Sequence, residues 1–198
     1  MVIAMRRASL AVIALAACSV ALPAASVAAP PVLPVCSTNP DTGGSTRCAT
    51  VKPPRAWAKA AAYGITAEPL PRPRRAAVLR PLRLVSIEVT QPSRIDEGEC
   101  GTQASIDARY RGPSNATLFY SYVEDDCGRL RTLLPGDQAV SVPGATVAVA
   151  TRSGGANVVQ WTRSPRAAID GAYMVGIMML RSSSLSQARL LEIAATIR

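Results

Sequence analysis

The chain has 198 residues, 48% of them hydrophobic, with 22 Lys and Arg against 13 Asp and Glu, a formal charge of +9, and no histidine. The missing histidine removes the commonest zinc ligand and the usual base of serine and cysteine triads, and the only lysines, Lys52 and Lys59, are poorly placed to replace it. No Gly-rich phosphate loop follows an apolar run either, since the SGGAN stretch at 153–157 reads as a hairpin turn.

In chain order, Arg6 and Arg7 precede the apolar run ASLAVIALAACSVAL, which Pro23 ends before the small residues AASVAAPP. That is the pattern of an export signal. The run is shorter than the ~20 apolar residues a spanning helix needs, so no transmembrane helix is expected after processing. Two processing routes stay open. Ser26-Val27-Ala28 before Ala29 suits an ordinary signal peptidase and gives a signal peptide over 1–28. Leu15-Ala16-Ala17-Cys18 resembles the bacterial lipobox, which ends the signal at 17 and makes Cys18 the lipidated residue. The apolar SVAL after Cys18 favours the first route, hence a periplasmic or secreted protein. A lipid anchor at the bacterial envelope is the alternative.

Residues 29–83 hold nine bases against Asp41 and Glu68, hence +7, together with ten of the sixteen prolines. They are expected to form a basic, Pro-rich arm, extended and largely unstructured. Two islands of local order are expected within it: a turn-rich loop closed by Cys36 and Cys48, and a short helix over 56–63 stopped at Gly64. The expected partner is an anionic envelope surface met by the arm, or an unidentified protein or glycan. Nucleic acid is a poor partner for an exported chain.

From residue 84 the pattern becomes short alternating runs separated by Gly, Pro, Asn and Ser, the mark of strands. Strands are expected at 84–91, 102–110, 116–123, 128–134, 138–142, 145–152, 157–163, 172–180 and 188–197, the last also readable as helix. The expected fold is all-β: an antiparallel β-sandwich over 84–198, Ig-like in architecture only. The run at 172–180 is apolar on both faces, so it belongs at the sheet centre, with Met174, Met178 and Met179 as filler.

A turn over 112–115 pairs positions that sum to 227. This sets Ala104, Ile106, Ala108 and Tyr110 inward and leaves Leu118, Tyr120 and Tyr122 on the other face. Those three form a candidate binding face, because Tyr suits a surface that is both apolar and hydrogen-bonding; a second layer covering that face is the plain alternative. The same count opposes Cys100 to Cys127, within reach of a cross-strand disulfide. Such a clasp differs from the immunoglobulin cystine, which joins two sheets across the core. With Cys36 and Cys48 it completes an even set of cysteines, suited to an oxidising compartment.

The clasp would gather Asp96, Glu97, Glu99, Glu124, Asp125 and Asp126 at one end of the hairpin. Calcium, which takes six to eight oxygens, is the one cofactor these residues suggest. The plain alternative is solvated carboxylates offset by Arg94, Arg129 and Arg131. No other cofactor and no catalytic residue is expected. The functional expectation is an exported, non-enzymatic binding or structural module tethered by its basic arm; the alternative is a small carboxylate-dependent hydrolase of envelope glycans.

Overall fold

The computed structural model describes residues 32–63, 70–74, 76–92, 104–125, 136–163, 166–167 and 173–197. The expected signal over 1–28, with Cys18, lies outside them, and among them no helix is long and apolar enough to cross a membrane. The elements run β1 (Leu33–Asn39), β2 (Ser45–Val51), α1 (Pro53–Ala61), α2 (Ala76–Leu79), β3 (Arg83–Thr90), β4 (Ser105–Arg111) and β5 (Thr117–Asp125). Then follow β6 (Gln138–Ala139), β7 (Val147–Ser153), β8 (Ala156–Thr162), β9 (Arg166–Ala167), β10 (Tyr173–Ser182) and α3 (Gln187–Ala194).

Nine strands form one hydrogen-bonded path in the order β2-β1-β3-β4-β5-β10-β8-β7-β6, with β9 paired to β10 beside it. Only β1 and β3 run parallel; the other pairs are antiparallel. The protein is therefore mostly β, as expected. The described strands make a single mixed sheet, however, in place of two facing antiparallel ones. As expected, β10 is central, lying between β5 and β8.

Side chains alternate across this sheet, so its register sorts them into two faces. One row crosses the core face through Val35, Ile87, Ala108, Tyr120, Leu180, Val159 and Ala150. Every member is at most 1% exposed. What covers this face is helical. Helix α1 packs on β1 and β3 through Ala56, Trp57 and Ala60, and the Trp57 ring meets Tyr120 edge-on at 6.0 Å. Helix α3 packs on β8 and β10 through Leu190, Ile193 and Ala194. Full burial of Leu190, Ile193 and Ile197 contributes roughly 1.5–3 kcal/mol each.

The expected extended arm is corrected, because β1 and β2 are strands of this sheet and α1 packs on it. Its prolines punctuate elements without interrupting them. Pro34 precedes the point, Val35, at which β1 gains β3 as a second neighbour. Pro40 and Pro53 open helical turns, where a missing N–H costs nothing. The two islands did form. Cys36 and Cys48 are directly opposed and bonded, and α1 occupies the expected helix.

The C-terminal run is also corrected, from strand to α3. The Ser186 hydroxyl accepts from the Arg189 N–H at 3.2 Å, an N-cap, and the buried Leu190, Ile193, Ala194 and Ile197 recur at helical spacing. The expected strand at 128–134 lies outside the described residues, and the next survives only as the two-residue β6.

The hairpin of β4 and β5 pairs positions that sum to 228: Ile106 with Tyr122, Ala108 with Tyr120 and Tyr110 with Leu118. That is one residue from the expected register, and a one-residue slip turns a strand over. Leu118, Tyr120 and Tyr122 are thereby in the core, at 1%, 0% and 5% exposure, and not on a binding face. The cause is the loop. Pro113 to Asn115 form a three-residue turn in which Ser114 and Asn115 take φ of 52° and 59°, and the Gly112 N–H donates to the Ala116 carbonyl at 2.8 Å. With this register the argument that opposed Cys100 to Cys127 no longer holds; both cysteines lie outside the described residues.

Candidate anion-binding cleft

The face turned away from the helices carries the polar positions. One row reads Glu88, Asp107, Ser121, Met179 and Gln160. The next, toward the β4–β5 turn, reads Arg109, Phe119, Arg181 and Val158. Beyond it Arg111 pairs with Thr117. Successive odd-numbered residues of β4, β5 and β10 thus place Arg109, Arg111 and Arg181 around one aromatic ring.

Arg109, Arg111, Arg181, Phe119 and Thr117 line a cleft of about 460 Å³, completed by Gly154 of the β7–β8 turn, by Ala156 at the start of β8, by Ser182 at the end of β10 and by Ser183 after it. That volume lies within the range of small-molecule sites. Its rim is braced by backbone-directed bonds. The Ser182 hydroxyl donates to the Thr117 carbonyl at 2.5 Å, and the Thr117 N–H donates to the Ser184 hydroxyl oxygen at 3.0 Å. Gly154 and Gly155 have φ of +57° and +76°, which suits a two-residue hairpin turn. A Cβ on Gly154 would stand 3.4 Å from Arg181 Nη2, so the turn passes close against that guanidinium.

The charges are unevenly matched. Arg109 forms an exposed ion pair with Glu88 at 3.4 Å. It also acts on Asp107, whose carboxyl is held above its ordinary value by burial first and by the charge of Glu88 next, against the lowering effects of a Ser121 hydrogen bond and of Arg109. Arg109 is thus shared between two carboxylates. Arg111 and Arg181 have no ion pair among the described residues. The hydroxyls of Thr117 and Ser183 likewise have no partner there.

The residues expected to hold calcium are not brought together by what is described. Asp96, Glu97, Glu99 and Asp126 lie outside the described residues, and Asp125 is the last residue of β5. Glu124 is placed, and it is on the core face at 3% exposure, accepting from the Tyr122 hydroxyl at 3.3 Å. Tyr122 can lie there because β10 presents Gly176, where a Cβ would meet the ring at 3.1 Å. Among the described residues no three ligating side chains converge. The Cys36–Cys48 bond stands at the far end of the sheet path, on β1 and β2. Met178 is core filler as expected, whereas Met179 is half-buried on the cleft face.

Comparison with protein-family models, with curated proteins and with solved structures finds no match for this chain.

Proposed function

We propose that the chain is an exported, non-enzymatic binding module of the bacterial envelope, and that its ligand is an anionic small molecule held in the cleft of β4, β5 and β10. The observation that carries this reading is the pair Arg111 and Arg181, two guanidiniums lining one cleft without a carboxylate partner among the described residues. Guanidinium is planar and always charged, which makes it the side chain best suited to phosphate and carboxylate. Export is supported by the N-terminal pattern and by the Cys36–Cys48 disulfide, a bond that persists in oxidising compartments.

Two measurements test the proposal. Intact mass of the protein recovered from envelope fractions reports cleavage before Ala29 or a lipid on Cys18; an uncleaved cytoplasmic chain overturns export. Titration of the labelled protein with sodium phosphate at low salt is expected to shift the arginine side-chain resonances of Arg111 and Arg181. Shifts spread evenly over the surface overturn the site.

The second reading, a carboxylate-dependent hydrolase, is favoured by one observation. Glu88 and Asp107 are directly opposed on this same face, and burial holds the Asp107 carboxyl above its ordinary value, in the direction a general acid requires. Turnover of an aryl glycoside that is abolished by Asp107→Asn would establish it in place of the binding module.

A further inference from the structure

The geometry points to a phosphate monoester as the group this cleft takes, in preference to a carboxylate or a sulfate ester; the inference rests on the binding reading above and names its ligand class.

Charge favours a dianion. Three arginines line the cleft, but Arg109 is engaged by Glu88 at 3.4 Å and faces Asp107 in the next row. Among the described residues, the charge left to a ligand is that of Arg111 and Arg181. Two positive charges match a dianion, and a phosphate monoester is close to dianionic at pH 7, since its second pKa is about 6. A carboxylate or a sulfate ester brings one charge only and leaves one guanidinium unanswered.

The number of donors favours a phosphate monoester as well. Arg111 is paired with Thr117, Arg181 stands across Phe119 from Arg109, and Ser183 follows two residues after Arg181. Guanidinium forks and free hydroxyls together supply more donors than a two-oxygen carboxylate can accept, whereas a phosphate monoester presents three strong acceptor oxygens. Between the arginines lies the half-buried ring of Phe119, an apolar floor for whatever carbon skeleton carries the phosphate. A cleft of about 460 Å³ has room for both parts. The β7–β8 turn at Gly154 passes beside the Arg181 guanidinium and bounds one side of the site.

The experiment is isothermal titration of the mature, oxidised protein with phenyl phosphate, phenyl sulfate and benzoate at pH 7.5 and low salt. Phenyl phosphate is expected to bind at least about fivefold more tightly than either monoanion. That ratio corresponds to the ~1 kcal/mol that one further unit charge contributes at 4 Å in water. Arg111→Gln and Arg181→Gln are each expected to erase the preference, Arg109→Gln to leave most of it, and Phe119→Leu to bring phenyl phosphate down to the affinity of inorganic phosphate. All four sites are at the surface or half-buried, and unchanged melting temperatures confirm that the variants fold. Co-sedimentation with phosphatidic acid vesicles, beside the soluble probe, separates a lipid headgroup from a free phosphorylated compound as the source. Equal affinity for the three aryl anions would overturn the phosphate assignment while leaving an anion site; absence of binding by all three would overturn both.

Discussion

Tyr120 offers the sharpest stability test of the fold. It is 0% exposed, its hydroxyl donates to the Pro71 carbonyl at 2.7 Å, and its ring meets Trp57 edge-on at 6.0 Å. Tyr120→Phe keeps the ring, hence the packing, and removes only the donor. Pro71 is itself buried, so its carbonyl is left unpaired away from water, which costs ~1–3 kcal/mol. For a domain of this size each kcal/mol lowers Tm by roughly 2–4 °C, so a fall of about 2–12 °C is expected in calorimetry, with a matching drop in the urea midpoint. Had the hairpin the register that sums to 227, Tyr120 would stand on the opposite face and the change would stay within about 0.5 kcal/mol. A loss that small would refute the placement of β5.

Three further outcomes follow from particular residues. Cys36→Ser with Cys48→Ser opens a loop of sequence separation 12 and is expected to cost about 3 kcal/mol in denaturant unfolding, equal to the effect of reductant on that bond; no loss would show that the hairpin turn alone holds β1 to β2. Asp107 has a native pKa raised above 3.8, so the native state binds its proton more tightly and stability falls as pH rises from 3.8 through the native pKa. Asp107→Asn should therefore raise Tm at pH 7, with the gain vanishing below pH 3.8; a loss at pH 7 would contradict the burial assigned to it. Burial also holds Tyr110 and Tyr120 above their ordinary 10.0. Their tyrosinate absorbance should stay silent until the protein unfolds, and stability should fall as pH rises past 10, where unfolded tyrosines ionise and these cannot; early titration of all five tyrosines would contradict the core.

Much of the sheet was legible because alternation is a direct physical signal. The runs that became β3, β4, β5, β7, β8 and β10 are apolar at every second residue, or at nearly every residue where both faces are covered. The register of one hairpin was not, and the reason is local. In RGPSN the glycine is the residue that invites a positive φ, yet Gly112 sits at φ −132°. A Cβ there would stand 3.0 Å from Leu82 Cδ2, a contact from which the leucine tip would have to shift. Ser114 and Asn115 take the left-handed positions instead, and for a serine that conformation is uncommon. One residue of error then exchanged the faces of β5 and moved two tyrosines from core to surface.

The arm was misread for a related reason. Counting prolines signalled disorder, while their positions, near the start of β1 before β3 joins it and at helix starts, signalled boundaries. The cleft escaped because residues 84–198 carry eleven arginines and eleven carboxylates and so appear neutral. Balance over a segment conceals separation in space: the hairpin returns Arg109 and Arg111 beside Phe119, and β10 brings Arg181 to the same ring from sixty residues further along. Arginines two apart in an alternating strand were the available sign, since such residues share a face.

The cleft exists only if that row is shared. In the hairpin of β4 and β5, Gly112 with Ala116 and Glu124 with Ala104 are hydrogen-bonded positions, which makes Arg111–Thr117, Arg109–Phe119, Asp107–Ser121 and Ser105–Val123 the closely spaced non-bonded pairs. Nuclear Overhauser contacts between the α-protons of those four pairs are the result expected. Contacts between Arg109 and Leu118, or between Asp107 and Tyr120, would instead return the tyrosines to the surface, separate Arg109 from Phe119 and Arg181, and dissolve the cleft.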